Sequence, residues 1–276
     1  MLGLPLLAGL LAPLLARWEG QNPYQFSTGL LDPNGGRPLG LMGGISGEHW
    51  LGLSPVTGTD LFCQIVYGIR TSLFLACAAS LLAVALSTGV GIVMGYFGGV
   101  VEAVLGRLLD FLFGFPGLLF VIALMVIVPS SFPRPVLLVL VLAFFGWPPG
   151  ARVIGAEAKA ITARDFVEAA RSTGAPHRQI IARELLPHLY PLVVVLFALS
   201  LPAYVSSIAG LSFLGLGLRG DTPDLGKLLA DSLQWIYSGA DIWYMIFPGA
   251  AIFLFVLGAT LAGDVLRDLL DVRGAR

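Results

Sequence analysis

Residues that could do covalent or metal chemistry are few, and their spacing suits none of it. The run GLSFLG at 210–215 has the outline of a nucleophile elbow, but that pattern needs glycine at 214, where the chain has Leu214. There is no G-x-x-x-x-G-K-[ST] run to cradle ATP phosphates and no H-E-x-x-H pair to hold zinc. His49, His177 and His188 are scattered and read as surface or interfacial histidines rather than ligands. Cys63 and Cys77 give no disulfide framework and read as small packing residues. No catalytic residue, resident metal or cofactor is therefore expected. Asp110 follows Arg107 by three residues at the start of an apolar run; the spacing suits an ion pair anchoring a helix, with a translocation role as the other reading. Ser200, Tyr204, Ser206 and Ser207 form a polar streak within another apolar run. They either line a water-filled route or bond neighbouring backbone.

The polar residues concentrate instead in EAARSTGAPHRQIIARELLP, residues 168–187. Read as a helix, 161–173 places Arg164, Glu168 and Arg171 on one face and Phe166, Ala169, Ala170 and Thr173 on the other. The charged spacings allow Arg164–Glu168 and Glu168–Arg171 pairs. Gly174 suits a helix C-terminus, where left-handed geometry costs nothing without a Cβ. Pro176 suits the first turn of a second helix over 176–186, presenting Ile180, Ile181 and Leu185, and Pro187 and Pro191 then open the next apolar run. An ordered stretch of this length is unlike an ordinary connection of about 4–6 residues. It is either an amphipathic linker lying on a membrane or a docking site for a soluble partner.

The elements that must hold this stretch are built for lipid. Of 276 residues, 57% are hydrophobic and 12% charged, against about 25% charged in soluble domains. A formal net charge of −1 points to neither nucleic acid nor an acidic partner. Spanning takes roughly 20 mostly apolar residues. Segments 71–97, 106–128, 135–157, 189–217 and 242–263 qualify, and a sixth, Leu2 to Ala16, is apolar but short. That shortness favours a natural start upstream of Met1, and the first basic residue, Arg17, comes too late for a cleaved signal peptide. The expected layout is a first helix at 1–17, an external loop at 18–70 rich in Gly, Pro and Asn, and a core at 71–276 with the polar stretch at 158–188. Short turns are expected near 98–105 and 129–134, and a loop at 218–241 whose Asp221, Asp224, Asp231 and Asp241 are either solvated or face an external protein.

Six crossings put Arg107, Arg152, Lys159, Arg164, Arg171, Arg178, Arg183, Arg267, Arg273 and Arg276 on one side. Arg17, Arg37, Arg70, Arg134, Arg219 and Lys227 fall on the other, so the polar stretch and both termini are expected to be cytoplasmic. Ser87, Gly91 and Gly95 form a small-residue stripe suited to close helix contact. Pro116, WPPG at 147–150, Pro202 and Pro248 fall inside apolar runs.

The pattern Glu168-Ala169-Ala170, three residues, Gly174, then Leu186-Pro187 resembles the EAA loop of binding-protein-dependent ABC importer permeases, with Glu184 where that pattern has Ile. YGIRTSL at 67–73, GYFGG at 95–99, GLSFLGLG at 210–217, FPG at 247–249 and GDVLRDLLD at 264–271 are similar to the second permease subunit of dipeptide, oligopeptide and nickel importers. The likeness covers roughly residues 45–273; after HWLG at 49–52 the chain departs, with Thr59 where an Arg is usual. The resemblance implies an all-α polytopic membrane protein with the type I ABC importer permease fold: six transmembrane helices and a cytoplasmic helix-turn-helix coupling loop. It implies that Glu168, Ala169, Ala170, Gly174, Leu186 and Pro187 contact a cytoplasmic ATPase whose closure on ATP moves the helices. The implied partners are a second homologous permease, two ATPase subunits and an extracytoplasmic solute-binding protein, in the cytoplasmic (inner) membrane. A stand-alone secondary transporter or channel is the alternative, and an intramembrane enzyme has no nucleophile–base arrangement to support it.

Overall fold

The computed structural model describes residues 4–33, 35–129, 131–237 and 241–274, with the side chains of 4–6, 41 and 271–274 excepted. Leu2 and Arg276 lie outside the described residues, as does the side chain of Arg273. Eleven α-helices are named along the described chain. They are α1 Leu4–Leu10, α2 Ala12–Glu19, α3 Leu61–Phe97, α4 Gly99–Gly114, α5 Gly117–Ile127 and α6 Arg134–Thr162, followed by α7 Asp165–Ser172, α8 His177–Ile180, α9 Leu186–Phe213, α10 Leu225–Tyr237 and α11 Trp243–Gly274. Among the described residues there are isolated bridges, Leu31 with Pro38 and Leu53 with Asp60, and no named strand.

Four helical stretches are long and apolar enough to cross a membrane: Leu61–Phe97, Arg134–Thr162, His177–Phe213 and Trp243–Leu270. The pair α4 and α5 is a fifth crossing if taken together, bent by 76°. The expected span 106–128 is thus two helices. Pro116 has no N–H to donate, and its ring holds Phe115 in extended geometry (φ −82, ψ 136), so the helix stops there. The expected turn at 98–105 shrinks to Gly98, whose φ of +61 separates α3 from α4. α3 starts at Leu61, ten residues before the expected span. The expected loop at 218–241 contains α10.

Two compact units emerge, and each long spanning helix contributes residues to both. The first comprises Met1–Cys77, Ser130–Leu138 and Leu201–Ala262; the second comprises Ala78–Pro129, Val139–Ser200 and Gly263–Arg276.

In the first unit, the loop before α3 is tied to that helix by buried polar groups. Asp60 accepts from the Cys63 N–H at 2.8 Å and from His49 Nδ1–H at 2.8 Å. Glu19 accepts from the Trp50 N–H at 2.8 Å and from the Cys63 S–H at 3.5 Å. His49, expected at a surface or interface, is 4% exposed, because Asp60 supplies the partner that burial requires. Burial pushes the Glu19 carboxyl up to about 6. Asp224, expected in a loop, is also buried. It caps α10 by accepting from the Gly226 N–H at 2.9 Å and from the Ser212 hydroxyl.

In the second unit, α3 and α6 pack along the small-residue stripe. A Cβ on Gly95 would run into the Gly155 carbonyl and sit 2.7 Å from Ala158 Cβ, and one on Gly91 would sit 2.9 Å from Ile154 Cβ. The Ser87 hydroxyl donates to Trp147 O at 2.7 Å, beside Pro148 and Pro149. α4 joins α6 through exposed pairs, Arg152 with Asp110 and Lys159 with Glu102. Asp110 therefore pairs with Arg152 rather than with Arg107. An interhelical partner with a guanidinium also seated over Phe113, at 4.8 Å, displaces the expected local pair.

Two tests follow from this packing. Gly95→Ala should lower stability by about 1–3 kcal/mol through overpacking, read as a fall in melting temperature in lipid nanodiscs. Gly89→Ala, where a Cβ meets nothing within 4 Å, should cause no fall. The raised Glu19 pKa means the folded state holds a proton that the unfolded state releases between its ordinary value of 4.5 and about 6. Stability should therefore decline as pH rises through that window. Glu19→Gln, which keeps an acceptor for Trp50, should flatten the slope in a pH series of melting temperatures.

Candidate functional site

The polar stretch folds differently from one continuous helix over 161–173. α6 runs to Thr162, the chain breaks at 163 and 164, and α7 restarts at Asp165 with Arg164 extended (φ −82, ψ 149) as its cap. The restart resets which residues face inward. Val167 is fully buried, Phe166 and Ala170 are half-buried against the cluster that Val167 joins, and Ala169 and Thr173, expected on the apolar face, are exposed. Val167 is the residue that reading the stretch as one helix misses. Among the described residues no ion pair joins Glu168 to Arg164 or Arg171. The Arg171 guanidinium lies over the Tyr96 ring instead, 5.1 Å from its centre.

Gly174 makes the elbow. Its φ is +82, and the chain closes α7 with Gly174 N–H to Arg171 O at 2.9 Å and Ala175 N–H to Ala170 O at 3.1 Å. Pro176 caps α8, as expected of a proline at a helix start. The second helix does not end before Pro187. A π-turn over Ile181–Leu185 carries α8 directly into α9, giving one helical stretch, His177–Phe213. The wide turn explains Glu184. Ile180 and Leu185, five residues apart, are both buried, and Leu189 follows on the same side. Leu185 thereby takes the inward place, while Glu184 stays half-buried and its carbonyl bonds the His188 ring. Val167, Ile180, Leu185 and Leu189 complete a buried cluster with Ile92, Tyr96, Ile154, Ala158 and Ile161. Each such aliphatic side chain contributes about 1.5–3 kcal/mol relative to exposure.

The opposite side of α7 is left free: Asp165, Glu168, Ala169 and Ser172 are exposed there, with Gly174, Leu186 and Pro187 also at the surface. Five of the six expected contact residues therefore lie exposed, and Ala170 is half-buried. The polar streak on α9 is mostly self-satisfied. Ser200 bonds Ser80 and Phe197 O, and Ser206 and Ser207 bond Pro202 O and Ala203 O, while Tyr204 is buried.

Residues 87–274 match the family described as binding-protein-dependent transport system inner membrane component. The chain belongs to that family. The permease is 33% identical over 234 residues to the dipeptide transport system permease protein DppC of Alkalihalophilus pseudofirmus, covering 85% of this chain and 75% of that one. It is 35% identical over 228 residues to the glutathione transport system permease protein GsiD of Pectobacterium atrosepticum, covering 83% and 74%. Its fold is similar to a chain of the inward-facing MetNI methionine ABC transporter, with TM-score 0.58, 19% identity, and 75% and 96% of the two chains covered. It is an ABC importer permease subunit, a membrane protein whose relatives are non-catalytic.

At the elbow, left-handed geometry costs a non-glycine residue about 1–2 kcal/mol. Gly174→Val should therefore raise the opened population of this segment roughly 5–30-fold. The check is trypsin cleavage after Arg171 and Arg178, which should speed up while cleavage elsewhere keeps its rate.

Proposed function

We propose that residues 165–187 are the coupling segment of this permease, seated by the free face of α7 in a groove of a cytoplasmic ATPase subunit. The observation that carries the reading is the pairing of Val167, buried and fixed, with Ala169, small and exposed, on a one-helix platform bearing Glu168. A small side chain at that point lets a partner surface approach closely, and the buried cluster beneath keeps the platform from folding away when pushed. ATP-driven closure of the ATPase pair then favours one arrangement of the spanning helices over another through differential contacts.

In this reading the permease forms half of the translocation pathway beside a second, homologous permease. Two ATPase subunits carry the hydrolysis, and an extracytoplasmic binding protein delivers the solute. Both termini and the coupling segment are cytoplasmic. The solute is a di- or oligopeptide or a similar small molecule, a reading supported by the names of the dipeptide and glutathione relatives. On α9, Ser200, Tyr204, Ser206 and Ser207 flank the route, with Ser206 best placed because it is exposed. The cavity of about 240 Å³ between the loop at Tyr24 and Thr57 and α10 at Asp231 and Trp235 faces the binding protein.

Ala169→Arg tests the docking. Recovery of the ATPase subunits with the tagged permease should drop at least about tenfold, about 1.4 kcal/mol or more of contact energy. Ser172→Ala, on the same exposed face, should retain them. Full recovery with Ala169→Arg would reject the platform.

A further inference from the structure

We propose that Tyr96 is a positioning residue for coupled transport, whose ring clamps both sides of the Gly174 elbow so that α7, the start of α8 and the end of α3 move as one piece. This rests on the coupling reading above.

The elbow has no steric brace of its own, since a Cβ at Gly174 would meet nothing within 4 Å. The hydrogen bonds from Gly174 and Ala175 close α7 but do not fix the direction in which α8 leaves. Tyr96 supplies that constraint. It sits in the last turn of α3 and is 5% exposed. Three residues before the glycine, the Arg171 guanidinium lies 5.1 Å from the Tyr96 ring centre. Three residues after it, His177 Nδ1 shares a 2.8 Å hydrogen bond with the Tyr96 hydroxyl. The His177 ring also meets Tyr96 edge-on at 5.6 Å and lies 5.8 Å from Phe97. One side chain of α3 thus holds the last turn of α7 through its face and the first residue of α8 through its hydroxyl.

The neighbouring contacts make the clamp a closed circuit. α6 is joined to α7 by two residues only, 163 and 164. α7 is joined to α3 by Tyr96, and α3 is joined to α6 one residue earlier, at Gly95, where there is no room for even a Cβ. Three elements linked pairwise cannot hinge at one link without opening another. A push on the exposed face of α7 is therefore delivered to α3 and α6 together, instead of being absorbed at the elbow.

The test uses the full transporter, with partner permease and ATPase subunits, in lipid nanodiscs. Spin labels on cysteines replacing the exposed Val93 of α3 and Ser172 of α7 report their separation by dipolar EPR, without nucleotide and after trapping with ATP and vanadate. With Tyr96 intact, the distance should be narrow and the same in both states. In Tyr96→Ala it should broaden and shift on trapping. Tyr96→Phe and His177→Ala should give the same partial broadening, and His177→Gln, which can still bond the hydroxyl, should reverse it. A narrow, unshifted distance in Tyr96→Ala overturns the clamp, as does an intact protein whose distance changes on trapping. Should Tyr96→Ala fail to reach the membrane, Tyr96→Phe and His177→Ala decide on the same criterion. Full ATPase recovery with Ala169→Arg would sink the docking reading and the clamp with it. Loss of ATPase in that variant together with an unmoved distance in Tyr96→Ala would sink the clamp alone.

Discussion

Burial of a few aliphatic side chains gives the polar stretch between α6 and α9 its shape. Val167, Ile180, Leu185 and Leu189 close a cluster that Ile92, Ile154 and Ile161 begin. Without that burial, α7 would be an eight-residue helix with an exposed glycine behind it, and isolated helices of that length are marginal in water. With it, the segment is a fixed extension of the spanning helices. The cluster itself depends on α3 and α6 meeting closely, which Gly91 and Gly95 permit. Small residues where α3 meets α6 thus set the position of the surface built directly on them.

Buried acids are managed in the same way. Where the chain buries an acid, it also supplies the donors. Asp60 and Asp224 each cap a helix start while accepting from a side chain, His49 and Ser212. Serines on α9 return their hydroxyls to carbonyls of their own helix. Such self-satisfaction is what an apolar surrounding demands. It also means that a polar residue in a span is not in itself a sign of a pathway.

The parts legible in the sequence were those with local causes. The elbow at Gly174 and the helix start at Pro176 follow from backbone preferences of single residues, and the glycine stripe follows from periodicity. What escaped depended on distance or on phase. Reading 161–173 as one helix put Ala169 and Thr173 inward, because a break at 163 and 164 leaves no strong mark in composition and shifts the phase that follows. The π-turn at Ile181–Leu185 is set by which side chain the cluster accepts, a tertiary demand, and only Glu184, standing where the family pattern has Ile, hinted at it. His49 is buried because of a partner eleven residues away, and Asp110 pairs across helices with Arg152. The bend at Pro116 was readable from the proline, yet the surrounding hydropathy favoured a single span.

The central claim is that the free face of α7 meets a cytoplasmic motor subunit. A photo-crosslinking residue placed at Ser172 in the intact transporter tests it most directly. The account predicts one main adduct, with the ATPase subunit. Adducts with lipid alone, or with the extracytoplasmic binding protein, would contradict it.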